Sequence, residues 1–278
     1  MIAAILSMAA PLILAGTGAL ITELAGSLAI FMEGFMTLGA FVAWTVARAT
    51  GYAWAGSLAA ALLGAFLAWA LARFCEKTGA NTFIAALALN LAATGITQTL
   101  SIAWFGTRGV LVDDRVPAST KILSGIDSYL VLALVAVALT ALIVKRTHFG
   151  LRLRAAGKDP EALAERGVSP ARYREGAWAA AGALAALGGA ALTFRIGAHI
   201  PGGVAGRGWI ALVIVYLGFR NAWGVLAASI LFAAAEYLSG IVQGTGTIPA
   251  TLLLGLPPAL SLVLFSITSA LRSRSSRH

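Results

Sequence analysis

Apolar residues fall along this chain in blocks of about twenty, separated by short polar punctuation. The blocks lie at 2–22, 28–47, 54–74, 82–104, 128–146, 177–196, 208–220, 222–243 and 247–270. An α-helix needs about 20 apolar residues to cross roughly 30 Å of hydrocarbon. Stretches such as AASILFAAAEYL lack the two-residue alternation of a membrane β-strand. The pattern predicts an all-α fold, a polytopic transmembrane helix bundle of about nine spans. Eight remain possible, because the block at 208–220 is short enough to be a half-span or one arm of a hairpin. The first block has no basic n-region, so it reads as a membrane helix rather than a cleaved signal peptide.

Composition sharpens this. Only 11% of the 278 residues are charged and 59% are hydrophobic, whereas soluble domains carry about 25% charged residues. The net charge of +9 does not imply nucleic acid as a partner, because the basic residues sit between apolar blocks, where they anchor topology. If every block crosses, the segments 73–77, 145–176, 220 and 271–278 share one side and hold fourteen of the twenty Lys and Arg residues. The positive-inside rule makes that side cytoplasmic, with the N-terminus outside and the C-terminus inside. A single cysteine, Cys75, excludes an intramolecular disulfide and offers no metal cluster. Recurrent small residues (GTGAL, AGAL, GGAAL) permit close helix approach in lipid.

Ionisable groups inside a span are expensive and mark sites. Glu33, beside Gly34, is placed either to brace a broken helix or to face a transport path. Glu236 lies inside its own block, while Glu23 lies nearer a helix end. Asn90, Thr94, Thr97 and Gln98 share one face of the fourth helix, and a polar face within a membrane must meet protein or water. These four form the preferred channel lining. Phe31, with Trp104 and Phe105, offers rings to a planar solute, although tryptophan near a span end is more often an interfacial anchor. His148, His199 and His278 lie in separate loops or the tail, so no zinc site or catalytic constellation is expected. No glycine-rich loop ends in Lys-Ser or Lys-Thr, so ATP phosphates have no cradle in this chain.

One long segment breaks the apolar rhythm: LRLRAAGKDPEALAERGVSPARYREG, residues 151–176. Asp159 before Pro160, followed by Glu161 and Ala162 and ended by Gly167, predicts a short helix with acids at its positive end. Pro170 then opens a further short element. Such a segment either rests on the membrane surface or presents a knob to another protein.

Within it, GLRLRAAGKDPEALAERGVSPARYREGAWAAAGALAALGGA resembles the cytoplasmic coupling segment of permease subunits of bacterial ABC importers. The likeness is to the simple-sugar and nucleoside branch, which works with basic-membrane-lipoprotein-type binding proteins. Arg154, Ala155, Gly157, Asp159, Pro160 and Ala162 occupy that motif's positions. MEGFMTLGAF, TFIAALALNLAATGITQTL and GRGWIALVIVYLGFRNAWGVLAASILFAAAEYL resemble further family stretches, in family order. The chain departs where Ala29, Ile30 and Phe31 replace an asparagine–isoleucine–glycine run, and where Ala222 replaces a proline.

The resemblance implies one permease domain over 1–278 in the bacterial cytoplasmic membrane, with residues 147–176 coupling it to a cytosolic ABC ATPase. It also implies ATP and Mg bound in that partner rather than here, a second permease subunit (a heterodimer favoured over a homodimer), and an extracytoplasmic solute-binding protein. The expected cargo is a nucleoside or nucleobase, with a simple sugar as the alternative; an ion-coupled secondary transporter is the more remote reading.

Overall fold

The computed structural model describes residues 2–117, 121–122 and 126–244; the block at 247–270 lies outside the described residues. The helices are α1 (Ile2–Leu24), α2 (Met32–Thr50), α3 (Ala53–Thr78), α4 (Thr82–Phe105), α5 (Ser128–Arg146), α6 (His148–Lys158), α7 (Pro160–Glu165), α8 (Pro170–Ile196), α9 (Arg207–Leu217) and α10 (Ala222–Gly244). Short strands β1 (Leu111–Val112) and β4 (Ala198–His199) pair antiparallel, as do β2 (Lys121–Ile122) and β3 (Ile126–Asp127). Among the described residues, six helices are long and apolar enough to cross a membrane: α1, α3, α4, α5, α8 and α10.

Local chemistry sets the helix ends. Asn81 accepts from the backbone N–H groups of Phe83 and Ile84 to start α4, and Asp127 accepts from that of Tyr129 to start α5. Thr147 caps α6 through Gly150 N–H, and Asp159 caps α7 through Ala162 N–H at 3.0 Å. The expected helix after Asp159 is therefore present as Pro160–Glu165. Two boundaries differ from expectation. The block at 28–47 becomes a helix only from Met32, because residues 25–31 form turns in which Phe31 is held inside the core. Pro170 opens the 27-residue α8 rather than a separate short element, so the charged residues 170–176 are that helix's first two turns.

Packing explains why α2 carries Glu33, Thr37 and Thr45 along its length, with Arg48 and Thr50 at its open end. It is enclosed by protein, with Phe35, Met36 and Ala43 fully buried, so its polar groups need not meet lipid. The central helix is α8, which packs on α1, α2 and α3. Small residues let the backbones touch: a Cβ on Gly182 would strike the Gly64 carbonyl, and one on Gly39 would strike Ala186. Glycine and alanine at these positions are what the close crossings require.

The helix ends gather on two opposite faces. On one, Arg73 pairs with Glu175 at 3.5 Å, Arg174 with Glu76 at 3.2 Å and Arg220 with Glu23 at 3.1 Å, beside α6 and α7. On the other, the Ser7 hydroxyl donates to Asp127 at 2.7 Å, Arg48 pairs with Asp113 at 2.7 Å, and β1 pairs with β4. Hydrogen bonds from Arg48 and then from the Arg115 backbone hold the Asp113 carboxyl below the usual carboxylate range.

Candidate functional site

Two helices start within the depth of the bundle rather than at a face. The first turn of α2 meets the middle of α4: Asn90 Oδ1 accepts from Gly34 N–H at 2.8 Å, and Asn90 Nδ2 donates to the Ile30 carbonyl at 2.8 Å. The start of α9 meets the same turn from the other side. Glu33 Oε1 accepts from Gly206 N–H at 3.0 Å and Oε2 from Gly208 N–H at 2.8 Å. These are orphan donors of a helix N-terminus, so a carboxylate satisfies both their hydrogen bonding and the positive end of the dipole. Gly208 packs so closely on Glu33 that a Cβ there would overlap its backbone. With 11 residues, α9 spans about 16 Å, half the hydrocarbon thickness.

Beside this junction, toward the face that bears β1 and β4, opens a cavity of about 260 Å³. Glu33 and Thr37 of α2, Thr94 and Gln98 of α4, Thr193 and Arg195 of α8, and the 198–204 loop line it, together with Arg108 and Arg207. Of the residues expected at a solute path, Glu33, Thr94, Thr97 and Gln98 are brought together here. Asn90 lies next to them but spends its amide on α2. The Thr97 hydroxyl donates to Ala93 O of its own helix at 2.8 Å. Glu236 reaches the cavity only through Arg207, whose guanidinium it pairs with. Phe31 lies elsewhere: it is fully buried, with its ring 4.2 Å from that of Trp178 and 5.5 Å from that of Phe35.

Arg108, Arg207 and His199, which the sequence reading left in loops, are cavity residues, as is Arg195 at the end of the 177–196 block. Arg207 also donates to the carbonyls of Gly203 and Val204, at 3.0 and 3.1 Å, which ties the loop to α9. His199 is 3% exposed, meets Phe41 edge-on, and its Nδ1 has no partner among the described residues. Burial pushes its imidazole down to about 4, so it is neutral at physiological pH. The lining thus carries three guanidinium groups against the carboxylates of Glu33 and Glu236, a positive excess that favours solutes rich in hydrogen-bond acceptors.

The opposite face holds the charged segment. Gly157 of α6 sits against the end of α1, where a Cβ on it would lie 2.6 Å from Gly26 N. Arg154 is half-buried, with its Nε 3.4 Å from the Gly150 carbonyl. Glu161, Glu165 and Arg166 are exposed along α7, Leu163 is buried beneath it, and Gly167 closes the turn at φ +74°.

The chain is similar in sequence to named permease proteins. The nucleoside ABC transporter permease protein NupC of Lactococcus lactis subsp. cremoris is 26% identical over 96% of this chain and 91% of its own. The guanosine ABC transporter permease protein NupQ of Bacillus subtilis is 28% identical over 85% of this chain and 80% of its own. TsgC13 of Haloferax volcanii, a permease protein named for glucose ABC transport, is 30% identical over 82% of this chain and 73% of its own. No solved structure matches. A family model described as branched-chain amino acid transport system / permease component matches residues 1–268, and the chain belongs to that family of ABC-transporter permeases.

Proposed function

We propose that this permease carries a nucleoside or nucleobase inward, by alternating access powered by a separate cytosolic ATPase that binds ATP and Mg. The observation that carries the solute reading is the cavity at the meeting of α2 and α9. Its arginines and the Gln98 amide offer donors to the ring nitrogens and carbonyls of a base, and Thr94 and Thr37 offer hydroxyls to a sugar. Two relatives over most of the chain are named for nucleosides, which supports the same class. The relative named for glucose supports the second reading, a simple sugar.

In this scheme the cavity opens to the outside, where a solute-binding protein delivers cargo, and the α6–α7 face is cytoplasmic. The N-terminus is then outside and the C-terminus inside. Residues 147–176 take up the closure of the ATPase pair, with Glu161 on the exposed side of α7 and Gly157 seating α6 on α1. A second permease subunit, favoured as a distinct chain, completes the pathway. Glu33 and Asn90 hold the broken helices, while Thr94 and Gln98 face the solute.

The test is uptake into vesicles reconstituted with both permeases, the ATPase and the binding protein. ATP-dependent entry of a labelled nucleoside or nucleobase is expected. ATP-dependent entry of a sugar with neither of these would overturn the solute reading and leave the transport class standing. Gradient-driven entry without ATP would overturn the coupling.

A further inference from the structure

A second cavity, of about 140 Å³, opens at the α6–α7 face, away from the solute cavity. Its wall joins four parts of the fold: Leu20 and Leu24 of α1, Thr140, Ala141, Val144 and Lys145 of α5, Arg154 of α6, and Arg220 and Asn221 of the turn into α10. One side is aliphatic and the other carries three cations. Glu23, at the end of α1, is committed to Arg220: Nη2 of that arginine lies 3.1 Å from the Glu23 carboxylate and 3.1 Å from its carbonyl. Among the described residues, Lys145 has no ion pair, and Arg154 makes only the long bond from its Nε to Gly150 O. Three positive charges therefore converge with one anion beside them.

The surroundings place this pocket at a membrane surface. The turn that presents Arg220 puts two non-glycine residues, Phe219 and Arg220, in the left-handed region at φ +54° each. Backbone strain of this kind persists where surrounding structure over-determines it, and it clusters at ligand clamps. The same turn exposes two large aromatic side chains, Phe219 at 62% and Trp223 at 54%. Exposed tryptophan at a span end marks the headgroup level. Val131, Val135 and Leu142 are exposed on the flank of α5 that leads up from Lys145, an apolar stripe suited to an acyl chain.

We propose that this pocket binds the phosphate of an anionic phospholipid, held by Lys145, Arg154 and Arg220, with an acyl chain along α5. The pocket is small, about 140 Å³, and a compact phosphodiester is the group its three cations would recognise. Basic pockets between membrane helices are suited to anionic headgroups, at about fivefold in affinity per cation. A free anion would use the cations but not the aliphatic wall, so the whole lining selects an amphiphile. The bound lipid would tie the coupling segment, through Arg154, to α1, α5 and the α9–α10 turn. This assignment is independent of which solute is carried.

The experiment is native mass spectrometry of the purified complex after exchange into neutral detergent with equal phosphatidylglycerol and phosphatidylcholine. The wild type should retain phosphatidylglycerol preferentially, and the double variant Lys145→Gln/Arg154→Gln should lower that preference by about twenty-five-fold, at about fivefold per cation. The charge-conserving Arg154→Lys should keep it. So should Arg152→Gln/Arg166→Gln, which removes two exposed cations from the same face. Equal retention of both lipids by the wild type would overturn the proposal. So would a preference unchanged in Lys145→Gln/Arg154→Gln, or an equal loss in the Arg152/Arg166 variant, which would make the effect one of general charge. Displacement of the lipid by millimolar inorganic phosphate would also overturn it, assigning the site to a free anion.

Discussion

Replacing Glu33 separates its two readings, as a brace or as a solute contact. Glu33→Ala removes both oxygens that accept from Gly206 and Gly208. A hydrogen bond to a charged group contributes about 1.5–3 kcal/mol, so the pair amounts to about 3–6 kcal/mol, with the dipole interaction adding about 0.3–1 kcal/mol. Glu33→Gln keeps one neutral carbonyl acceptor but turns an amide N–H toward the second backbone donor, so it should lose more than half of that. The assay is equilibrium unfolding of the purified complex in mixed micelles, paired with uptake measured across solute concentration. A brace predicts graded destabilisation, alanine beyond glutamine, with transport falling as the junction loosens. If Glu33→Ala instead unfolds within about 1 kcal/mol of the wild type while half-saturating solute rises, Glu33 is a solute ligand and the bracing argument is wrong.

Asn90→Leu leaves the Gly34 N–H and the Ile30 carbonyl unpaired and should cost about 2–4 kcal/mol in the same unfolding assay. Because Asn90 and Glu33 hold one turn, Asn90→Leu combined with Glu33→Gln should depart from additivity by more than about 0.5 kcal/mol. Gly157→Val should leave membrane insertion intact yet push α6 off the end of α1, lowering solute-stimulated ATP hydrolysis; unchanged stimulation would remove α6 from the coupling path. His199 is neutral in the fold, with its value near 4 against an ordinary 6.5, so the unfolded chain binds a proton first as pH falls. Stability should therefore drop by about 2 kcal/mol between pH 8 and pH 5, and a thermal-unfolding series should show His199→Phe losing that acid sensitivity.

The α-helical plan was readable because lipid demands long apolar runs, and side-chain caps such as Asn81 and Asp127 fall where the runs begin. The start of α2 was not readable. Its run of apolar residues continues through Ala29, Ile30 and Phe31, yet these residues stand outside the helix, with Phe31 packed on Trp178 and the Ile30 carbonyl bonded by Asn90. Glu33 and Asn90 stood out as polar groups within apolar blocks, but their partners are backbone atoms far away in sequence, which no local pattern announces. Arg195 and Arg207 were masked by their positions next to glycine-rich loops, where a basic residue ordinarily anchors topology. The signal that pointed further was Glu236: a carboxylate inside a membrane helix requires a partner, and Arg207 is that partner.

The continuity of α8 has a mechanical consequence. Its first turns carry the charged residues that follow α7, and its last turns supply Thr193 and Arg195 to the solute cavity. At 1.5 Å per residue, 27 residues make a rod about 40 Å long. The glycine contacts that weld α8 to α2 and α3 mean this rod cannot slide past its neighbours without steric overlap. Force applied near Pro170 is therefore converted into tilt of a three-helix block. A tilt of about 10° over that length displaces the far end by about 7 Å, so under the proposed coupling a modest closure between ATPases would reshape a cavity at the other end of the rod.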